Sequence, residues 1–298
     1  MHTLPPSSPS GAASLPPVPR RSRVLLWLSG FGVSGLMGLA VLVFWLLAAV
    51  AGPALLPRAL LTLQASVVYA PIDAQHWLGT DYLGRDMLVR VVQGARYTVG
   101  VALVATLIAG GTGTLLALLA AATGSWLDAI LSRFLDTLTS IPSKMFALVL
   151  VAGFGSSIGM LVFTAALIYV PGAFRIARSL AVNINALDYV TVARTRGEGT
   201  LYIMLREILP NILGPILADL GLRFVYVVLL LASLSFLGLG IQPPEADWGS
   251  LVRENIGALS EGSAAVIAPA FAIASLTIAV NLVIDNLPGR AARERRGH

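Results

Sequence analysis

Few side chains in this sequence could do chemistry. There is no cysteine, which excludes thiolate catalysis, disulfides and Cys-ligated metals. The histidines are His2, His76 and His298; two lie at the ends of the sequence, which argues against a histidine metal site. The one lysine, Lys144, sits between Ser143 and Met145. The Gly-Lys-Ser/Thr that cradles phosphates in a P-loop is therefore missing. No nucleophile, base and orienting acid converge, so no enzymatic chemistry is expected. What remains is the placement of charge. Asp219 and Arg223 stand four residues apart in an apolar run, as neighbours on one helix face. A charge near a bilayer centre costs at least roughly 2.5–3.5 kcal/mol on insertion scales. A pair offsets part of that, and these two are expected to face a pathway or a partner subunit. The most informative polar stretch is 185–210, NALDYVTVARTRGEGTLYIMLREILP, with Arg194, Arg196 and Arg206, and Arg178 just upstream.

The elements that must position these groups are apolar. Hydrophobic residues make up 56%, charged residues 12%, and the mean hydropathy is +0.82. A soluble domain carries about a quarter charged residues, so the chain reads as a membrane protein. Residues 1–23, rich in Pro, Ser and Ala and ending in Arg20, Arg21 and Arg23, read as a disordered tail. Spans of about 20 apolar residues are expected at 24–50, 98–122, 138–154, 158–174, 212–239 and 264–284. The third and fourth are separated by the tight hairpin Gly155-Ser156-Ser157. Open sheets cannot cross lipid, so the expected fold is all-α: a bundle of six transmembrane helices over 24–288, with a cytoplasmic tail at 289–298.

Positive charge sets the orientation. With the N-terminus inside, the inner segments hold 14 of the 20 basic residues, and the outer ones only Arg58, Arg85, Arg90, Arg96 and Arg253. Both termini and the 185–210 stretch are thus expected in the cytoplasm. The net charge of +5 reflects those inner loops rather than nucleic-acid binding.

The stretch has the makings of a rigid knob. Asp188 could cap a helix over 189–196. Gly197 and Gly199, flanking Glu198, permit a sharp turn. A second helix is expected from Leu201 to Leu209, and Pro210 would set the angle at which the fifth span begins. An ordinary solvated loop is the alternative, but loops between bundle helices usually run about 2–8 residues.

These residues resemble the permease subunits of ATP-binding-cassette importers. Their cytoplasmic loop reads Glu-Ala-Ala, three residues, Gly, and then a spacer ending in Leu-Pro. Here Thr191-Val192-Ala193 stands at the first position, Gly197 follows, and Leu209-Pro210 closes the motif. The departure is Thr191 and Val192 in place of Glu and Ala. The segment from His76 to Asp86 resembles the HxLGTDxxGRD segment of the dipeptide/oligopeptide/nickel permease family. The run from Ser233 to Gly240, then Pro243-Pro244 and Asp247-Trp248-Gly249, resembles its second signature, although Leu231 stands where an acidic residue is frequent. Asn281, Leu282 and Asp285 match its C-terminal end, with Ile284 and Pro288 departing. The similarity covers about residues 24–290.

The resemblance implies an inner-membrane permease coupled to a homologous second permease, two ATPase subunits and an external substrate-binding protein. ATP and Mg would sit on the partners, with no cofactor or metal in this chain. It implies that Asp188, Tyr189, Thr191, Val192, Ala193, Arg194, Gly197, Glu198 and Pro210 couple to an ATPase. Asp247 and Trp248 have two readings, an external docking surface or an interfacial anchor with a wet indole N–H. For 79–86, a short interfacial helix capped by Thr80 or Asp81 is favoured over direct substrate contact. Asp128, Ser132 and Asp136 mark an amphipathic cytoplasmic helix. A self-sufficient secondary transporter and a membrane receptor are the rival classes. The first often carries internal repeats, and none is visible here.

Overall fold

The computed structural model describes residues 32–56, 67–261 and 263–286. The expected tails at 1–23 and 289–298 lie outside the described residues, as does the start expected for the first span. The described elements are helical: α1 Val33–Leu55, α2 Met87–Thr123, α3 Ser125–Thr139, α4 Ser143–Phe154, α5 Ile158–Asn185, α6 Asp188–Thr195, α7 Thr200–Phe236, α8 Trp248–Glu254 and α9 Ala264–Asp285. Five of them, α1, α2, α5, α7 and α9, are long and apolar enough to cross a bilayer alone.

The third crossing corrects the sequence reading. It is not one helix over 138–154 but two, α3 and α4, bent by 82°. Pro142 causes the break: its ring disfavours helix at Ile141 and it brings no N–H. With 12 residues, α4 rises about 18 Å, short of a ~30 Å hydrocarbon core. The pair nevertheless counts as one crossing, because α2 and α5 run the same way. Val101 and Leu161 line one small cavity toward one end, a Cβ on Gly113 would meet the Ala173 Cβ at 2.5 Å, and Leu118 and Phe174 share a core cluster near the other. The chain leaving α2 must return before α5 begins, and only α3 and α4 lie between. Antiparallel α1 and α9 agree: the Trp45 indole donates to Ser275 Oγ (2.9 Å) and the Asn286 amide to Ser34 Oγ (3.2 Å). Six crossings follow.

Helices pack here through small residues. Where α2 meets α5, Gly113 stands within 2.9 Å, from a built Cβ, of the Val170 carbonyl and the Phe174 nitrogen. Lipid tails supply no hydrophobic drive between helices, so close backbone approach by small residues supplies dispersion instead. Two clusters of buried side chains result. One surrounds Met87, Trp248, Leu251 and Leu276 at the far end; the other surrounds Leu118, Phe174, Val190, Ile208 and Ile212 at the end that carries α6.

Three further boundaries differ from expectation. The second span begins at Met87, eleven residues early, because the Asp86 carboxylate caps it by accepting from the Val89 N–H at 3.0 Å. There is no separate helix over 201–209: Thr200–Phe236 is continuous, with a widened π turn at Ile203–Ile208. The fourth span continues to Asn185, so the stretch outside the bundle starts at Ala186.

Candidate functional site

The protruding feature is α6. Its N-cap is Leu187, not Asp188, which is already helical and whose side chain caps nothing. Asp188 still sits in the first turn, where a carboxylate complements the helix dipole. The helix ends in a Schellman motif: the Gly197 N–H donates to Arg194 O (2.9 Å) and the Glu198 N–H to Ala193 O (3.2 Å). Gly197 takes φ +84° there, a conformation that costs a residue with a Cβ.

The two faces of α6 differ. Val190 and Ala193 are both fully buried, and Val190 belongs to the same cluster as Ile203 and Ile208. Thr191, Val192, Thr195 and Arg196 are exposed. Arg194 is the exception among the exposed residues, because its Nη2 donates both to the Ala122 carbonyl at the end of α2 (3.0 Å) and to Asn185 Oδ1 (2.7 Å). Tyr189 Oη accepts from the Asn211 amide (3.1 Å). The knob is thus bolted to α2, α5 and α7, and shows one short face outward.

Of the residues expected to couple, Thr191 and Val192 lie on the outward face and Ala193 faces in. Arg194 holds the base, and Gly197 and Glu198 form the turn. Pro210 lies in α7, just past the π turn, where the Leu209 N–H reaches back five residues to Met204 O. Proline there removes one more donor from the ladder.

Asp219 and Arg223 pair as their spacing predicts. Asp219 Oδ2 accepts from Arg223 Nε (3.0 Å) and Nη2 (2.6 Å), and the Arg223 Nη1 donates to the Tyr169 carbonyl on α5 (2.9 Å). Gly172 leaves room for it, since a Cβ there would stand 2.8 Å from Nη1. Arg223 is buried and clamps α7 to α5. Only the partly exposed Asp219 carboxylate remains for a pathway or partner contact.

The far end corrects both readings of Asp247 and Trp248. Their exposures are 6% and 0%, which no docking surface tolerates. Asp247 caps α8, accepting from the Ser250 N–H (2.9 Å) and Ser235 Oγ (2.6 Å). Burial pushes its carboxyl above the usual range, against these hydrogen bonds. The Trp248 indole N–H is not wet: it donates to Val91 O (2.8 Å), and the ring stacks edge-on against Trp45 at 4.6 Å.

Residues 79–86 form turns rather than a short helix. Asp81, fully buried, accepts from Leu83 N and Arg85 N (2.9 Å each) and from Arg85 Nε (2.7 Å). Arg90 reaches Glu254 across 164 positions at 2.5 Å, and the Tyr82 N–H donates to Asn255 Oδ1 (3.0 Å). Sequence reasoning did not single out Arg90, Glu254 or Asn255. Their only signal was Arg90 itself, a charge at the edge of an apolar run; besides Glu254 it approaches Asp81, nine residues earlier, at 3.6 Å. The segment is a structural joint between α2 and α8. On α3, Asp128 pairs with Arg178 and Asp136 with Arg175 of α5 (2.9 Å for the second pair). Among the described residues, no three His, Asp or Glu side chains gather to hold a metal ion.

Comparison with known proteins adds relatives to this geometry. The family profile described as "Binding-protein-dependent transport system inner membrane component" matches residues 113–293. The dipeptide transport system permease protein DppC of Alkalihalophilus pseudofirmus is 30% identical over 279 residues, 92% of each chain. A putative peptide transport system permease protein of Brucella suis is 33% identical, over 84% of each. The glutathione transport system permease protein GsiD of Pectobacterium atrosepticum is 34% identical, over 72% of this chain and 71% of its own.

Proposed function

Because this chain belongs to the family of binding-protein-dependent transport system inner membrane components, we propose that it is the permease subunit of an ATP-driven importer of peptides or similar small solutes, with α6 as its coupling element. The proposal places the chain in a bacterial inner membrane with both termini cytoplasmic, which the excess of basic residues in the inner segments supports. It names as partners a homologous second permease, two ATPase subunits and an external substrate-binding protein. The chain itself contributes no catalytic group and no cofactor; the partners bind ATP and Mg. Peptides are the cargo class because the relatives' names include dipeptide, peptide and glutathione transport.

The observation that carries the reading is the build of α6. Its inward residues are buried in the bundle's own core, and its base is pinned by Arg194 to the end of α2. A push on the outward face therefore reaches three spanning helices as one body. Nucleotide-driven closure of the ATPases would move α6, and the bundle would pass its opening from one side of the membrane to the other. ATP shifts that equilibrium only through its different affinity for the two states.

The test is copurification and uptake. An ATPase should come down with the wild-type chain. Gly197→Val, which strains the Schellman turn, should leave the chain inserted while transport is uncoupled from ATP hydrolysis. Normal transport by a well-assembled Gly197→Val complex contradicts the proposal. ATP-independent uptake by this chain alone would mark a secondary transporter, and ligand binding without uptake a receptor.

A further inference from the structure

The one lysine of the chain is at membrane depth. Lys144 lies in the first turn of α4, and α4 runs to the Gly155 turn at the far end of the bundle. It therefore stands about 16 Å along the helix from that end, roughly halfway through a ~30 Å hydrocarbon core. Helical spacing sets its direction. Ala147 and Val151, three and seven residues on, form the buried stripe of α4, and Lys144 lies on the same face, exposed where that stripe opens into a groove.

What it meets is an open groove of about 670 Å³ between α4, α7, α8 and α9. The walls are mostly apolar, among them Leu229, Phe236, Ile273 and Ala274, and no acidic side chain lines the groove. The two hydroxyls in the wall are engaged as donors: Ser233 Oγ to Leu229 O (2.7 Å), and Thr277 Oγ1 to Ile273 O (3.0 Å) and Ala274 O (2.9 Å). Among the described residues, no ion pair found includes Lys144. The groove thus offers a cation and no anion. A charge kept at such depth marks a solute pathway when it is not neutralised within the protein.

We propose that Lys144 is the contact for a carboxylate of the transported solute, holding it in the groove between α4, α7 and α9. The inference rests on the importer reading above and adds the chemical class that the permease itself recognises. An ammonium is a compact point charge with three donors, suited to a carboxylate presented in varying orientations, as on peptides of different sequence. The apolar walls accept the rest of the solute without reading its side chains.

The complete transporter in proteoliposomes tests this with two probes, trialanine and its C-terminal amide. Wild type should favour the acid over the amide. K144Q should lower trialanine uptake by about tenfold to a hundredfold, the loss expected for one charge-assisted hydrogen bond, and should erase the preference. K144R, which keeps the charge, should retain most of both. A second measurement is independent of transport. With isotope-labelled lysine in this chain alone, the assembled transporter gives one side-chain signal, and trialanine should shift it while the amide does not. K144Q uptake equal to wild type overturns the proposal. So does a lysine signal indifferent to both peptides, as expected if the second permease fills the groove, or one shifted equally by both. Wild-type uptake of neither probe counts against the peptide-importer reading, while the lysine signal still decides the carboxylate contact.

Discussion

Arg194 carries more of the proposed coupling than its exposure suggests. A bond from its guanidinium to the Ala122 carbonyl satisfies an acceptor that the end of α2 would otherwise leave unpaired. Hydrogen bonds to charged groups contribute about 1.5–3 kcal/mol. Arg194→Ala should leave insertion intact, loosen α6, and reduce ATP-driven uptake about tenfold or more with little change in ATP hydrolysis. Arg194→Lys should restore only part, because one ammonium does not reproduce the guanidinium fork. Paired uptake and hydrolysis assays check it, and unchanged coupling in Arg194→Ala would refute the role. Trp248 gives the complementary case. Buried against Trp45 and hydrogen-bonded to Val91, it should cost about 3–5 kcal/mol when truncated to Ala, read as a large fall in thermal stability in detergent. A Trp248→Ala protein of normal stability that had lost only its response to the binding protein would restore the docking reading.

At the scale of elements, the π turn at Ile203–Ile208 separates the knob from the fifth crossing. A π turn is an α-helix with one residue too many. Deleting the exposed Leu205 should convert it to regular helix and so remove the widened turn on which the connection to α6 is set. The expected outcome is a stable, inserted chain that no longer retains its ATPase on copurification. An unaffected complex would show that the turn is incidental. Gly113 belongs to this scale too. Gly113→Leu drives a side chain into the Ala173 Cβ and the Val170 and Phe174 backbone of α5 and should abolish stable expression, measured as the folded fraction after detergent extraction.

The elements also show what the sequence discloses and why. The long spans were legible because apolar length is a local property. α9 was expected at 264–284 and found at Ala264–Asp285. The bend at Pro142 was not, since apolar residues on either side of it read as one span. The existence of α6 was legible from a breaker-free run ending at Gly197. Its attachment was not, because Arg194 meets Ala122 across 72 positions. Asp247 and Trp248 were misread for a related reason. A polar residue beside tryptophan outside a span resembles an interface, and only the packing of Trp45 and Thr98 over them shows a core.

Across the whole molecule, α2 joins the two ends. Arg90, tied to Glu254, and Ala122, tied to Arg194, lie on one helix about 48 Å apart. A movement of α6 thus reaches the far end through a rigid rod. The account also requires the ends to face opposite sides of the membrane. Tags on either terminus should be inaccessible from outside sealed cells, and an external terminus would overturn the assignment of α6 to the cytoplasm.

The most direct measurement uses the absence of cysteine. Val192→Cys places a single thiol on the outward face of α6, and Ala193→Cys places one on the buried face. A short reagent joining a thiol to a partner's amine, applied to the assembled transporter, should link Val192→Cys to an ATPase subunit and leave Ala193→Cys unlinked. An Ala193→Cys link, or a Val192→Cys protein that never meets the ATPase, would contradict the claim that this face of α6 is where ATP-driven motion enters the chain.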